Sequence, residues 1–184
     1  MRNYSLIIKN IIRSQYRKIL YGLLSIGYDE EFFYNKQKST LKTLGINLKS
    51  AELRLESYIN EYKIKKYPSS WHWLFAAGLS ENKNIKNILE IGTHRGEFTH
   101  FLADVFPHSK ITTIELPDDN PIFLSSYSRA KGSKLEKQIK ARNKLLRSKS
   151  NINFIQKNSI NLTFCNEKYD FIWVDGAHGY PIVT

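Results

Sequence analysis

From residue 87 onward, short apolar segments rich in β-branched residues alternate with amphipathic segments of helical period. This spacing predicts four strands, over residues 87–91, 110–115, 152–156 and 169–174. Helices predicted over 96–106 and 133–147 separate the first three strands, as the crossovers between parallel strands require. The alternation therefore predicts an α/β fold built on a doubly wound parallel sheet.

Residues 1–70 lack this alternation and are predicted to form a helical N-terminal extension to a main domain over residues 71–184. Within the extension, a basic amphipathic helix is predicted over 4–24 and a second helix over 50–62. The basic helix either packs on its own domain or on a sister subunit, or it lies on a membrane surface.

The main domain is predicted to open with a short helix over 71–77 that Gly78 closes. Trp71 and Trp73 do not share a helix face, so one is expected in the core and the other over a cleft or an interface. The histidines outside the motifs described below are interpreted as structural: His72, His100 and His108.

The 184-residue chain is basic, with 28 Lys and Arg against 17 Asp and Glu, which gives a net charge of +11. The excess lies in residues 1–70 and 121–150, and the predicted helix that carries Arg142 has a basic face that we interpret as solvated. A genome biased toward A- and T-rich codons, such as those of lysine, would produce this charge without any binding partner. The alternatives are an anionic substrate, a membrane surface or nucleic acid, of which nucleic acid is not the expected partner.

The cysteine content and the hydropathy limit the cellular compartments in which the protein is expected. A single cysteine, Cys165, excludes a disulfide scaffold and a cysteine-based zinc site, and it fits a reducing environment. No apolar run is long enough to span a membrane. We therefore expect a cytoplasmic protein.

The most informative motif lies where the first predicted strand meets a helix. Glu90 lies near the end of the strand, Gly92 follows the strand, and Gly96 comes four residues after Gly92, at the helix start. Glycine at position 92 allows a tight turn and a close approach of a ligand to the backbone. The free N–H groups and the dipole of a helix that opens at Gly96 favour an anion such as a carboxylate.

A second acid, Glu115, closes the next predicted strand. A carboxylate at this place can accept both hydroxyls of a ribose. A dinucleotide site would need a third glycine, and Glu90 would be out of place beside a pyrophosphate. The pair of signals therefore favours a nucleoside that carries a positive charge.

Together these residues resemble the class I S-adenosylmethionine-dependent methyltransferases, which have a Rossmann-like sheet. The resemblance implies strands in the order 3-2-1-4 and S-adenosylmethionine as cofactor. It also implies that the cofactor is held by residues after the first three strands: Glu90, Gly92, Thr93, Gly96, Glu115, Asn158 and Ser159. The family often has an aspartate where this chain has Asn158, whose amide can still pair with adenine.

The fourth predicted strand ends in a D-G-x-H-x-Y motif, which contains Asp175, His178 and Tyr180. This motif resembles a branch of small-molecule O-methyltransferases that includes enzymes acting on sugar hydroxyls. The resemblance implies His178 as the base for the acceptor hydroxyl, since imidazole titrates near neutral pH. Asp175 either orients His178 or binds a divalent metal, but the chain offers too few oxygen ligands for us to predict a metal site. The alternative is a simple turn with His178 as a capping residue.

We therefore expect an S-adenosylmethionine-dependent methyltransferase that acts on a hydroxyl of a small molecule such as a sugar. The alternatives are a non-catalytic cofactor-binding or interaction module and an RNA methyltransferase.

The resemblance also bears on the extent of the chain. The family's sheet has seven strands and this sequence supplies four, which would leave the apolar fourth strand as an exposed edge. We expect either the N-terminal part of a longer enzyme, or a partner chain or second copy that covers this edge.

Overall fold

The computed structural model describes residues 30–64, 71–81, 84–125, 131–161 and 167–176. The helix predicted over 4–24 lies outside them. The helices are α1 (Glu30–Thr43), α2 (Leu48–Tyr62), α3 (Trp71–Leu79), α4 (Glu97–Val105), α5 (Pro121–Ser125) and α6 (Ser133–Arg147). The strands are β1 (Asn87–Ile91), β2 (Lys110–Glu115), β3 (Ile152–Gln156) and β4 (Phe171–Val174), and a 3₁₀ turn follows β3 at Ser159–Asn161.

The four strands form one parallel sheet in the order β3-β2-β1-β4. The predicted α/β class, Rossmann-like topology and strand order are confirmed. Strands β1, β2 and β3 have the predicted bounds, whereas β4 begins two residues later than expected, at Phe171. The reason is Asp170, whose carboxylate accepts the backbone N–H groups of Lys86 and Asn87 at 2.8 and 2.9 Å and so fixes the entry of β1.

The chain divides into two compact units, one that ends at Gly45 and one that begins at Ile46. Helix α2 therefore lies in the same unit as the sheet, although the domain boundary predicted at residue 70 assigned it to the N-terminal extension. The division of the chain into an extension and a methyltransferase domain at residue 70 stays a prediction. The expected end of α3 at Gly78 is wrong, because the helix continues to Leu79. A Cβ at position 78 would lie 2.2 Å from a methyl carbon of Ile46, so this glycine permits close packing inside the helix.

Aromatic side chains join α2, α3 and α4. The Tyr58 hydroxyl lies 2.7 Å from Nδ1 of His100, and both residues are buried. Trp73 is buried and stacks on Phe101 with ring centroids 4.8 Å apart. Trp71, by contrast, is partly exposed, so Trp73 is the tryptophan that enters the core. No helix in the described ranges is long and apolar enough to cross a membrane.

Arg142 corrects the expectation of a fully solvated basic face on α6. Its side chain is 2% exposed, and the guanidinium forms two hydrogen bonds to Asp118 at 2.9 and 2.7 Å. It also lies over the ring of Phe154, 4.8 Å from the centroid. The ion pair therefore ties α6 to the loop after β2. The other basic residues of the helix are exposed, as expected: Lys134, Lys137, Lys140, Lys144 and Arg147.

The Arg142–Asp118 pair should contribute measurably to stability. Arg142→Met removes both hydrogen bonds and leaves Asp118 without its counter-charge, so we expect the free energy of unfolding to fall by about 2–3 kcal/mol. The matched control is Arg147→Met on the exposed side of the same helix, which should change it by less than about 0.5 kcal/mol. Urea denaturation followed by circular dichroism measures both, and equal effects of the two substitutions would contradict the structural role of Arg142.

Candidate active site

The turn between β1 and α4 has an unusual backbone. Gly92, His94 and Gly96 all have positive φ, at +107°, +49° and +75°. The N–H of Gly92 donates to the carbonyl of Ile114 at 2.9 Å, so the turn begins in register with β2. Helix α4 starts immediately afterwards, at Glu97. The glycine spacing thus produces the predicted strand–turn–helix unit.

Gly92 is needed because the end of β4 passes directly against it. A Cβ at this position would lie 2.2 Å from the carbonyl oxygen of Asp175. The N–H of Asp175 donates to the carbonyl of Ile91 at 2.8 Å, which holds the two strand ends together. The close approach that the sequence predicted for a ligand is made here by the protein's own backbone.

Gly96 serves two purposes at the start of α4. It is buried, and a Cβ there would lie 2.9 Å from a methyl carbon of Leu146. As the N-cap residue it has no side chain to bond the N–H groups of the first turn. These N–H groups are therefore available to an anion.

Glu115 is bound to the glycine turn. One carboxylate oxygen accepts the N–H of His94 at 2.8 Å, and the other accepts the N–H of Leu116 at 3.2 Å. The bond to His94 accounts for the left-handed backbone of that residue, whose side chain is exposed. Glu115 is only 9% exposed.

Glu90 and Thr93 point into the protein rather than along the surface of the turn. Glu90 is 1% exposed, and one of its carboxylate oxygens accepts the hydroxyls of Thr99 and of Thr113, the latter at 2.5 Å. The Thr93 hydroxyl lies 2.6 Å from that of Thr113. These two predicted cofactor residues therefore support the turn from below, and a direct contact with a cofactor stays a prediction.

Burial raises the pKa of Glu90 to about 7. The hydrogen bonds from the two threonine hydroxyls act in the opposite direction, while the charges of Asp175 and Glu115 raise the pKa further. Three carboxyl groups at one edge of the sheet thus repel one another, and a cation bound there would relieve the repulsion.

Asn158 and Ser159 follow β3 at the same edge of the sheet. The side-chain oxygen of Asn158 accepts the N–H of Ile160 at 3.1 Å and so shapes the 3₁₀ turn. The N–H of Lys157 donates to the carbonyl of Glu115 at 2.8 Å, which fixes the start of this loop beside the carboxylate. The structure therefore places both residues near Glu115, and their role toward adenine stays a prediction.

The predicted acceptor residues are described only in part. Asp175 is exposed at the end of β4, and its charge acts on Glu90 and on His72. His178 and Tyr180 lie outside the described residues. Within the ranges that are described, no group of three His, Cys, Asp or Glu side chains could hold a metal ion.

His72, for which the sequence predicts a structural role, contacts elements that border this site. Its ring stacks on Trp173 with centroids 5.3 Å apart and an interplanar angle of 14°. It also meets the edge of Phe98 at 4.8 Å. The only sign of this contact in the sequence is that His72 lies between Trp71 and Trp73. That pattern does not show which strand the helix will contact.

Gly92 offers a direct test of the contact between the strand ends. Gly92→Ala introduces both a strained φ and a collision with the Asp175 carbonyl, so we expect a loss of about 3 kcal/mol or more in the free energy of unfolding. Gly132 also has positive φ, but no atom lies within 4 Å of the position of its Cβ. Gly132→Ala should therefore cost only the strain of its backbone, which has φ +58° and ψ −140°, about 1–3 kcal/mol. Chemical denaturation measures both, and equal losses would rule out the steric role of Gly92.

Glu90 should make stability depend on pH. Because its pKa rises from 4.5 to about 7 on folding, the folded state holds a proton that the unfolded state loses between these values. The stabilisation is complete below about pH 4.5 and is lost as the pH rises through about 7, a total of about 3 kcal/mol. Glu90→Gln should remove this dependence, whereas Glu52→Gln, at an exposed position, should keep it. The measurement is urea denaturation at pH 5 and pH 8, and parallel pH profiles for the parent and Glu90→Gln would contradict the assignment.

The chain matches no protein-family model, and no curated protein matches it at a significant level. It is similar to solved structures of O-methyltransferases. One from Staphylococcus aureus, provisionally assigned as a caffeoyl-CoA O-methyltransferase, is 20% identical with a TM-score of 0.41, over 76% of this chain and 59% of that one. A provisionally assigned O-methyltransferase from Klebsiella pneumoniae is 18% identical with a TM-score of 0.40, over 77% and 59%. The O-methyltransferase from Bacillus cereus, solved in complex with SAH, is 16% identical with a TM-score of 0.39, over 77% and 60%.

The chain therefore spans 59–60% of the length of these three proteins. Because the identities and TM-scores are low, the fold assignment rests on the chain's own sheet, which is a four-stranded parallel Rossmann-like sheet in the order β3-β2-β1-β4.

Proposed function

We propose that the chain is the cofactor-binding part of an S-adenosylmethionine-dependent methyltransferase that modifies a hydroxyl of a small molecule such as a sugar. The observation that carries the proposal is the hydrogen bond from the glycine turn, at His94, to the Glu115 carboxylate. It joins an anion-binding helix start and a ribose-binding acid into one unit at the carboxyl edge of a parallel sheet, where such sheets bind ligands.

The described residues fit this cofactor in three respects. The uncapped first turn of α4 can bind a carboxylate. The Glu115 carboxylate, a group that only accepts hydrogen bonds when ionised, lies at the end of β2, where it would accept ribose hydroxyls. The charges of Asp175 and Glu115 act on Glu90 at this end of the sheet, which suits a sulfonium and disfavours a pyrophosphate.

The chemistry follows from where these groups lie. S-adenosylmethionine, when bound, supplies a methyl group on a positively charged sulfur. Glu115 would fix the nucleoside, and the start of α4 would fix the opposite, amino-acid end. Asp175 lies on the strand next to the turn, so an acceptor hydroxyl placed over β4 would meet both a carboxylate and the methyl position. His178, three residues beyond Asp175, remains our proposal for the base, and no step is assigned to a metal.

Binding of S-adenosylhomocysteine tests this function without a known acceptor. Calorimetric titration of the parent chain should show one saturable site. Glu115→Gln should weaken binding at least about tenfold, or about 1.4 kcal/mol, because the amide cannot accept from the ribose and from both N–H groups as a carboxylate does. Glu136→Gln, an exposed acid in the first turn of α6, is the matched control and should bind like the parent. A folded parent chain that does not bind, or equal affinity of Glu115→Gln, would contradict the proposal.

A non-catalytic interaction module is the second candidate, and one observation favours it. Ile172 and Val174 are 52% and 57% exposed on the face of β4 opposite Trp173. A partner chain, a second copy or further strands of a longer protein would cover this face. Binding of S-adenosylhomocysteine together with concentration-dependent self-association would support a module that combines both roles.

The RNA methyltransferase alternative rests on the exposed lysines of α6. It requires tight RNA binding that weakens steeply with salt, since each neutralised phosphate releases a counterion. Weak or salt-independent binding in a filter assay would remove it.

A further inference from the structure

We infer that His72 lines the acceptor side of the proposed site, beside the position of the transferred methyl group, and helps to orient the acceptor. The inference rests on the proposed function and adds a positioning residue to it, while His178 remains the proposed base.

The position of His72 is set by the two elements that carry the site. Trp173, on which its ring stacks, lies in β4 two residues before Asp175, whose charge acts on His72. Phe98, which its ring meets edge-on, lies in the first turn of α4, directly after the glycine turn. His72 is therefore held between β4 and the start of α4.

Comparison with His100 distinguishes a functional from a structural histidine within the same aromatic cluster. His100 is 1% exposed, and its Nδ1 is bonded to the Tyr58 hydroxyl at 2.7 Å. His72 is partly exposed, and no hydrogen bond to another described residue engages its ring. Among the described residues, ring contacts with Trp173, Phe98 and Trp73 orient it.

The electrostatic surroundings link His72 to the acidic end of the site. Burial lowers the pKa of His72, whereas the charge of Asp175 acts in the opposite direction. Asp175 is the ionisable group of the described residues whose charge acts on His72. Helix α3 carries no other ionisable group, and on α4 the one nearest in sequence to Phe98 is Glu97.

The test compares two ligands that differ by one methyl group and one charge. S-adenosylmethionine carries a sulfonium, whereas S-adenosylhomocysteine carries a neutral sulfur. The pKa of His72 is measured by NMR titration of the imidazole resonances in each complex, with His72→Gln used to assign its signal. If His72 faces the methyl position, its pKa should be lower in the S-adenosylmethionine complex by at least about 0.5, because two positive charges repel at short range.

His108 provides the control within the same spectra. It precedes β2 at the amino edge of the sheet, opposite the site, and is exposed. Its pKa should be the same in both complexes. Binding of both ligands with an unchanged His72 pKa would overturn the inference and leave the proposed function intact. Failure of a folded chain to bind either ligand would overturn both.

Discussion

The carboxyl ends of β1 and β4 meet at a backbone contact that only glycine permits, and the arrangement of the site depends on it. With Gly92 against the Asp175 carbonyl, the turn can bond β2 through Ile114 on its other side. His94 is then placed to donate to Glu115. A larger residue at position 92 would separate the strand ends and move both acids relative to the start of α4. The geometry of the site is therefore set by backbone packing before any ligand binds.

The same packing brings three carboxyl groups together. Their proximity lowers the stability of the free protein and favours the proposed binding of a cation. Glu90 is buried beneath the turn, and Glu115 and Asp175 raise its pKa. The threonine hydroxyls of α4 and β2 offset only part of the cost of burying the carboxylate. A bound cation would favour the ionised form of all three groups, so ligand affinity is obtained at the expense of the stability of the free protein. A site shaped for a neutral or anionic ligand would gain nothing from this arrangement.

The features that the sequence predicted well are those determined locally. Apolar segments predicted β1, β2 and β3, and the glycine spacing predicted the turn. The features that the sequence did not predict depend on partners distant in the chain. Gly78 was expected to end a helix, but Ile46 packs against it, and Arg142 was expected on a solvated face, but it pairs with Asp118. The ring contact of His72 with Trp173, about a hundred positions away, could not be predicted either. The same is true of the contact between Gly92 and the end of β4.

The two halves of the site are supported unequally, and this asymmetry follows from the sheet. Helices α3, α4 and α6 all contact the face that carries Glu90, as the bonds and ring contacts to Thr99, Trp173 and Phe154 show. Most of the residues proposed to bind the cofactor lie at the ends of β1 and β2, and both strands are paired on two sides. In the described part of the sheet, β4 pairs only with β1, and its face opposite the helices is exposed at Ile172 and Val174. The described fold therefore holds the proposed cofactor residues more firmly than Asp175, which follows β4. Stacking of His72 on Trp173 restrains that strand from the helical side, so it links the position of β4 to a titratable group beside the proposed site.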